Sequence, residues 1–94
     1  MVICSLICEL LIPGCRSLKE KRSQIKPLVE RLHREFNVSA AEIDRLDSRD
    51  NAVIGCVMVS NQHAFSEKYM QQVIRFIEDH YQNLQIIHFR IEWY

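Results

Sequence analysis

From residue 2 to residue 12 the chain is apolar at nearly every position, and that stretch restricts what the rest can be. Cys4, Leu6, Cys8, Leu10 and Ile12 alternate with Ile3, Ser5, Ile7, Glu9 and Leu11. An extended strand here has one fully apolar face and one mostly apolar face. A strand of that kind is covered on both sides and belongs in the middle of a sheet. Pro13-Gly14 closes it with a turn.

The segments that follow supply the remaining layers. Ser17-Leu18-Lys19-Glu20 has the form of a capping box, in which a hydroxyl and a carboxylate satisfy the free amides at a helix start. Leu18, Ile25, Leu28, Val29, Leu32 and Phe36 then recur at helical spacing, which predicts a helix through residue 36. Pro27 removes one backbone bond inside it and predicts a bend or weak turn over residues 23–27. Residues 37–47 alternate weakly, residues 52–60 are rich in β-branched side chains, and residues 47–51 form a polar turn, so two strands joined as a hairpin are expected.

Ser60 or Asn61 can cap a second helix. Its apolar positions Phe65, Tyr69, Met70, Val73, Ile74, Phe76, Ile77 and Tyr81 share one broad side. A last strand runs from Leu84, with Ile87, Phe89, Ile91 and Trp93 on one face and His88, Arg90 and Glu92 on the other, as suits a sheet edge. Strand, helix, two strands, helix, strand predicts an α+β, ferredoxin-like βαββαβ sandwich, with an antiparallel four-stranded sheet in the order 4-1-3-2 and both helices on one face. The 94 residues suit one such domain, residues 1–94.

Apolar runs such as residues 10–13 are far short of the roughly 20 residues of a membrane helix, so no membrane span is expected. With no basic leader and with Glu9 interrupting the apolar start, the expected location is the cytoplasm. Cys4, Cys8, Cys15 and Cys56 form no CxxC pair, and no histidine lies at metal-finger spacing. Cys4 and Cys8 are about 13 Å apart along a strand and cannot bridge each other. The four cysteines are therefore expected to be reduced core residues, with no metal and no cofactor.

Two helices cover only one side of a four-stranded sheet, yet both inner strands are apolar front and back. The uncovered patch on strand one is Ile3, Ile7 and Leu11. Strand three adds either Ile54, Cys56 and Met58 or Val53, Val57 and Val59; the expected interface takes Ile54, Cys56 and Met58. A contiguous apolar patch is normally hidden against a partner, which predicts a homodimer.

Charge is balanced overall but not along the chain. Residues 16–35 hold seven basic groups against three acidic ones, and residues 36–94 hold five against eight. Arg16, Lys19, Lys21 and Arg22 crowd the partially positive start of the first helix, a place that usually attracts acidic side chains. With Ser17 and the free amides, they resemble a site for a phosphate. Lys19, Arg22, Lys26 and His33 lie on one flank, a strip able to follow a nucleic-acid backbone. Residues 52–59 carry none of the aromatics that RNA-recognition sheets use for stacking, so nucleic-acid contact would run through the first helix. Glu42 and Asp44, with Glu9, His88 and Glu92, are candidates for a metal or for acid–base work; rim charges around the apolar patch are the commoner meaning. No nucleophile elbow, P-loop or dinucleotide fingerprint is present.

With these residues in place, the chain resembles the YlxP-like family of small bacterial proteins. The resemblance runs through Ile12-Pro13-Gly14, Ser17-Leu18-Lys19-Glu20-Lys21-Arg22, Phe36-Asn37-Val38-Ser39, Ala41-Glu42 and Val59-Ser60-Asn61. It implies a ferredoxin-like fold and carries no activity, cofactor or catalytic residue; the four cysteines lie outside its pattern. Genes of the family often sit beside translation-initiation and ribosome-maturation genes, which implies association with RNA or the ribosome. The expected function is accordingly a non-catalytic RNA- or ribosome-associated module acting through Arg16, Ser17, Lys19, Lys21, Arg22 and Lys26. The alternatives are a homodimeric scaffold using the open sheet face, and an enzyme or sensor for a phosphorylated small molecule.

Overall fold

The computed structural model describes all 94 residues, Met1–Tyr94. Its elements follow in the order β1 (Val2–Leu11), α1 (Leu18–Glu35), β2 (Ser39–Asp44), β3 (Asn51–Ser60), α2 (His63–His80) and β4 (Gln85–Trp93). The sheet order is β2-β3-β1-β4, with every neighbouring pair antiparallel. This is the ferredoxin-like α+β sandwich, and β1 and β3 are its inner strands.

Local chemistry accounts for the element boundaries. The Cys15 amide donates to the Ile12 carbonyl across Pro13 and Gly14, and Gly14 has φ +73°. Proline at the second turn position and glycine at the third are the pattern of a type II turn. Ser17 Oγ then accepts from the Glu20 amide at 3.1 Å, and Glu20 Oε2 accepts from the Arg16 amide at 3.1 Å. The reciprocal bond lands one residue earlier than in the standard capping box. Helix α1 continues through Pro27 as a single element to Glu35.

The start of α2 differs from the sequence expectation. Gln62 is its N-cap and has no capping side-chain bond; Ser60 Oγ instead accepts from the Gln62 amide. Trp93 of β4 ties down this end, with its indole nitrogen donating to the buried Ser66 Oγ at 2.9 Å and its ring stacked 3.8 Å from His63.

One core of 20 buried apolar residues lies between sheet and helices. The register Cys4↔Met58, Leu6↔Cys56, Cys8↔Ile54 and Leu10↔Ala52 puts the covered face of β1 opposite the covered face of β3. Ile54, Cys56 and Met58 therefore belong to the core beneath the helices, against the expectation that they form the open face. The β3 residues on that open face are Val53, Val57 and Val59, paired with Glu9, Ser5 and Ile3. Both faces of β3 are apolar, so only its pairing with β1 settles which is which.

Two bulges correct the edge strands as well. In β4 the register slips between Glu9↔His88 and Leu10↔Ile86. Ile86 joins Ile91 and Trp93 against the core and Ile87 is left exposed, because one extra residue reverses the alternation beyond it. In β2 the slip falls between Glu42↔Ile54 and Asp44↔Val53, so these carboxylates take opposite faces.

The cysteines are free and buried. Desolvation pushes the Cys8 thiol up to about 12, with smaller contributions from Cys56 and Glu78, and desolvation pushes Cys56 to about 12. Cys4 is raised by desolvation, which the Ser66 hydrogen bond opposes and Glu67 reinforces. Because these folded values lie above the ordinary value of 9.0, the stability they contribute is complete below pH 9 and is lost as pH rises toward 12. Ionising either Cys8 or Cys56 should therefore lower stability progressively across that window. Urea melts at several alkaline pH values should fall less steeply for Cys8→Ala/Cys56→Ala than for wild type. Iodoacetamide at neutral pH should leave Cys4, Cys8 and Cys56 unlabelled until the protein is unfolded, and rapid native labelling of Cys8 or Cys56 would contradict this placement.

Candidate functional site

Two surfaces gather the residues singled out by the sequence. The first is the exposed flank of α1 and the turn before it. Arg16, Lys19, Arg22 and Lys26 are exposed, and none makes an ion pair; the bridges in the molecule are Lys21–Glu42, Arg31–Glu35, Arg45–Glu9 and Arg90–Glu92. Glu20 is the one carboxylate in residues 16–26, and it is engaged on the Arg16 amide. Ser17 is likewise occupied by its capping bond. The anion at this helix start is thus the protein's own Glu20, and the four free cations lie around it rather than in a preformed phosphate cradle.

Lys21 leaves that group. It is 1% exposed, and its ammonium lies 2.8 Å from Glu42 Oε2 and 2.8 Å from the Arg45 carbonyl. Glu42 Oε2 has no hydrogen bond of good angle, and the ammonium beside it supplies its charge partner. Arg45 has φ 55°, an uncommon left-handed conformation for a non-glycine residue, and its carbonyl is fixed by this contact. Lys21 is therefore a brace between α1 and the end of β2, and not a nucleic-acid contact. Its position one-third of a turn from Arg22 gave no sign in the sequence that β2 would close over it.

The second surface is the sheet face without helices. Ile3, Ile7 and Leu11 lie on it, half-buried, beside Val57 and Val59, which are 43% and 60% exposed. Its centre is a depression of about 350 Å³ lined in part by Ser5, Ile7, Ala41, Ile43, Val57 and Tyr94. Ile43 folds over Gly55, where an added Cβ would come within 3.0 Å of Ile43 Cδ1. Ser5 is only 7% exposed and its hydroxyl has no hydrogen-bond partner. A buried orphan hydroxyl is costly and uncommon in a finished structure. Ser5, Ile43 and Tyr94 give no sign of a shared site in the sequence, because their meeting depends on the pairing of all four strands.

The proposed acid–base cluster is not assembled. Glu42 faces α1, whereas Asp44, Glu9 and His88 border the open face with Arg45 and Arg90. Arg45 lies 3.9 Å from Glu9 and Arg90 2.8 Å from Glu92, so these are rim charges paired with each other. No three His, Cys, Asp or Glu residues are arranged to hold a metal. No helix is long and apolar enough to cross a membrane.

The model of the family described as "Protein of unknown function (DUF503)" matches residues 3–91. The chain is also 36% identical over 87 residues to "Uncharacterized protein YlxP" of Bacillus subtilis (strain 168), a match covering 93% of this chain and 94% of that protein.

Proposed function

We propose, for a chain that belongs to the DUF503 family, a non-catalytic role in which the α1 flank binds RNA through its phosphates. The observation that carries this reading is the group Arg16, Lys19, Arg22 and Lys26, four exposed cations without ion-pair partners within eleven residues of a chain whose net charge is zero. Cations that stabilise nothing within their own fold are free to release counterions from a polyanion. The surface has no aromatic platform on β3, so contact through phosphates would be tolerant of sequence. Filter binding to single-stranded RNA and co-sedimentation with ribosomes, each at low and moderate salt, test the reading. Binding that weakens steeply with salt supports it, and no binding at low salt ends it.

A second reading, compatible with the first, is a homodimer joined through the open sheet faces. It is favoured by the exposed Val57 and Val59 around the orphaned Ser5 hydroxyl. Sheet-to-sheet pairing leaves α1 outside and doubles the cationic surface. Light scattering should give twice the chain mass for wild type and the single mass for Ile7→Lys, since a charge at that central position cannot be buried unpaired. A monomer in both would rule this pairing out.

A further inference from the structure

The geometry points to the groove between α1 and the edge strand β2 as a docking site for an extended peptide whose α1-facing side chains, every second one, are by turns apolar and acidic. This surface is distinct from the open sheet face, and it shares only Arg22 and Lys26 with the RNA reading. A groove of about 490 Å³ runs there, with Ile25, Val29, Ala40 and Ala41 among its lining residues. Arg22, Lys26, His33, Glu30 and Glu42 also line it. Glu42 is neutralised by Lys21, so Arg22 and Lys26 outnumber the one remaining free carboxylate, Glu30. An apolar floor with a cationic rim complements a peptide carrying both kinds of side chain, whereas phosphate alone would leave the floor unused.

The strand edge supplies the second half of the argument. β2 is the outer strand of the sheet, so alternate residues direct backbone groups away from β3. His33 Nε2 lies 2.9 Å from the Ala40 carbonyl. A carbonyl only accepts, so Nε2 carries the hydrogen, and the bond marks Ala40 as an outward-facing position. Exposed strand edges invite pairing, and a side chain laid over one is a common way of protecting it. A peptide added along β2 would take over the Ala40 carbonyl, displacing His33, and would turn every second side chain toward α1, where apolar ones meet Ile25 and Val29 and acidic ones meet Arg22 and Lys26.

The test is a nuclear magnetic resonance titration of the isotope-labelled chain with an eight-residue peptide in which serine alternates with valine and aspartate taken in turn. Saturable shifts confined to residues 22–33 and 39–42 are expected. Affinity should fall at least tenfold for Arg22→Glu/Lys26→Glu, and for a peptide with lysine in place of aspartate. His33→Ala should bind as tightly as wild type or several-fold tighter, a gain that a merely damaged fold would not give. Four results would each overturn the proposal: no saturation at millimolar peptide, shifts centred on Val57 and Val59, indifference to peptide charge, or a doubling of molecular mass in place of peptide binding. Arg16→Glu/Lys19→Glu lies outside the groove and reports on RNA alone, so the two readings fail separately.

Discussion

Replacing Lys21 with methionine is expected to lower the unfolding free energy by about 3 kcal/mol, the low end of the cost of breaking a buried ion pair. The ammonium sits in a site that is 1% exposed, within 2.8 Å of two oxygens. Removing it leaves the Glu42 carboxylate and the Arg45 carbonyl without their partner, and the penalty for an unpaired buried group exceeds the modest net worth of the pair itself. Glu42 is 19% exposed and can turn partly toward water, which keeps the loss from being larger. Domains of this kind are stable by about 5–15 kcal/mol, so the loss should appear as a clear fall in the urea midpoint. The double variant Lys21→Met/Glu42→Leu should recover most of the stability, because two apolar side chains can replace a buried pair at little cost. If Lys21→Met melts with wild type, the brace does not exist; if the double variant is worse than the single, uncompensated charge is not the cause.

The second large effect concerns polyanion binding. If Arg16, Lys19, Arg22 and Lys26 each meet one phosphate of single-stranded RNA, the logarithm of affinity should fall with that of salt at a slope of about −2.8, which is about fifty-fold between about 50 and about 200 mM. Reversing all four charges to glutamate should remove at least about a hundredfold at low salt, because the surface then repels what it attracted. Arg49→Glu/Arg75→Glu changes two exposed cations elsewhere and should have little effect. Equal losses from both variants would mean that only net charge matters and that the α1 flank has no special place.

Several features were legible because their causes lie within a few residues. Pro13-Gly14 specifies its turn through the backbone preferences of those two residues, and Ser17 with Glu20 specifies the start of α1 through hydrogen bonds three and four residues apart. The double-sided apolar run of β1 identified a central strand, and the half-polar β4 an edge. The N-terminus of α2 was less legible, since Trp93 anchors it from the far end of the chain through Ser66. The exposure of Arg16, Lys19, Arg22 and Lys26 on α1 and the turn before it was legible, and the exception was Lys21. Its neighbours Arg22 and Lys26 look the same in sequence, and only the approach of Glu42 and Arg45 separates it from them.

The sequence by itself determined the kinds of element, their order and the place of β1 and β3 inside the sheet, because periods of two and of 3.6 residues are written locally in the spacing of apolar side chains. Tertiary structure decided which side of β3 stays bare, that bulges divide Glu42 from Asp44 and bring Ile86 rather than Ile87 to the core, and that one lysine of a basic cluster is internal. The physical reason is that side-chain direction in a strand flips with a single-residue slip, and the register that prevents or permits the slip is set by partners far away in the chain.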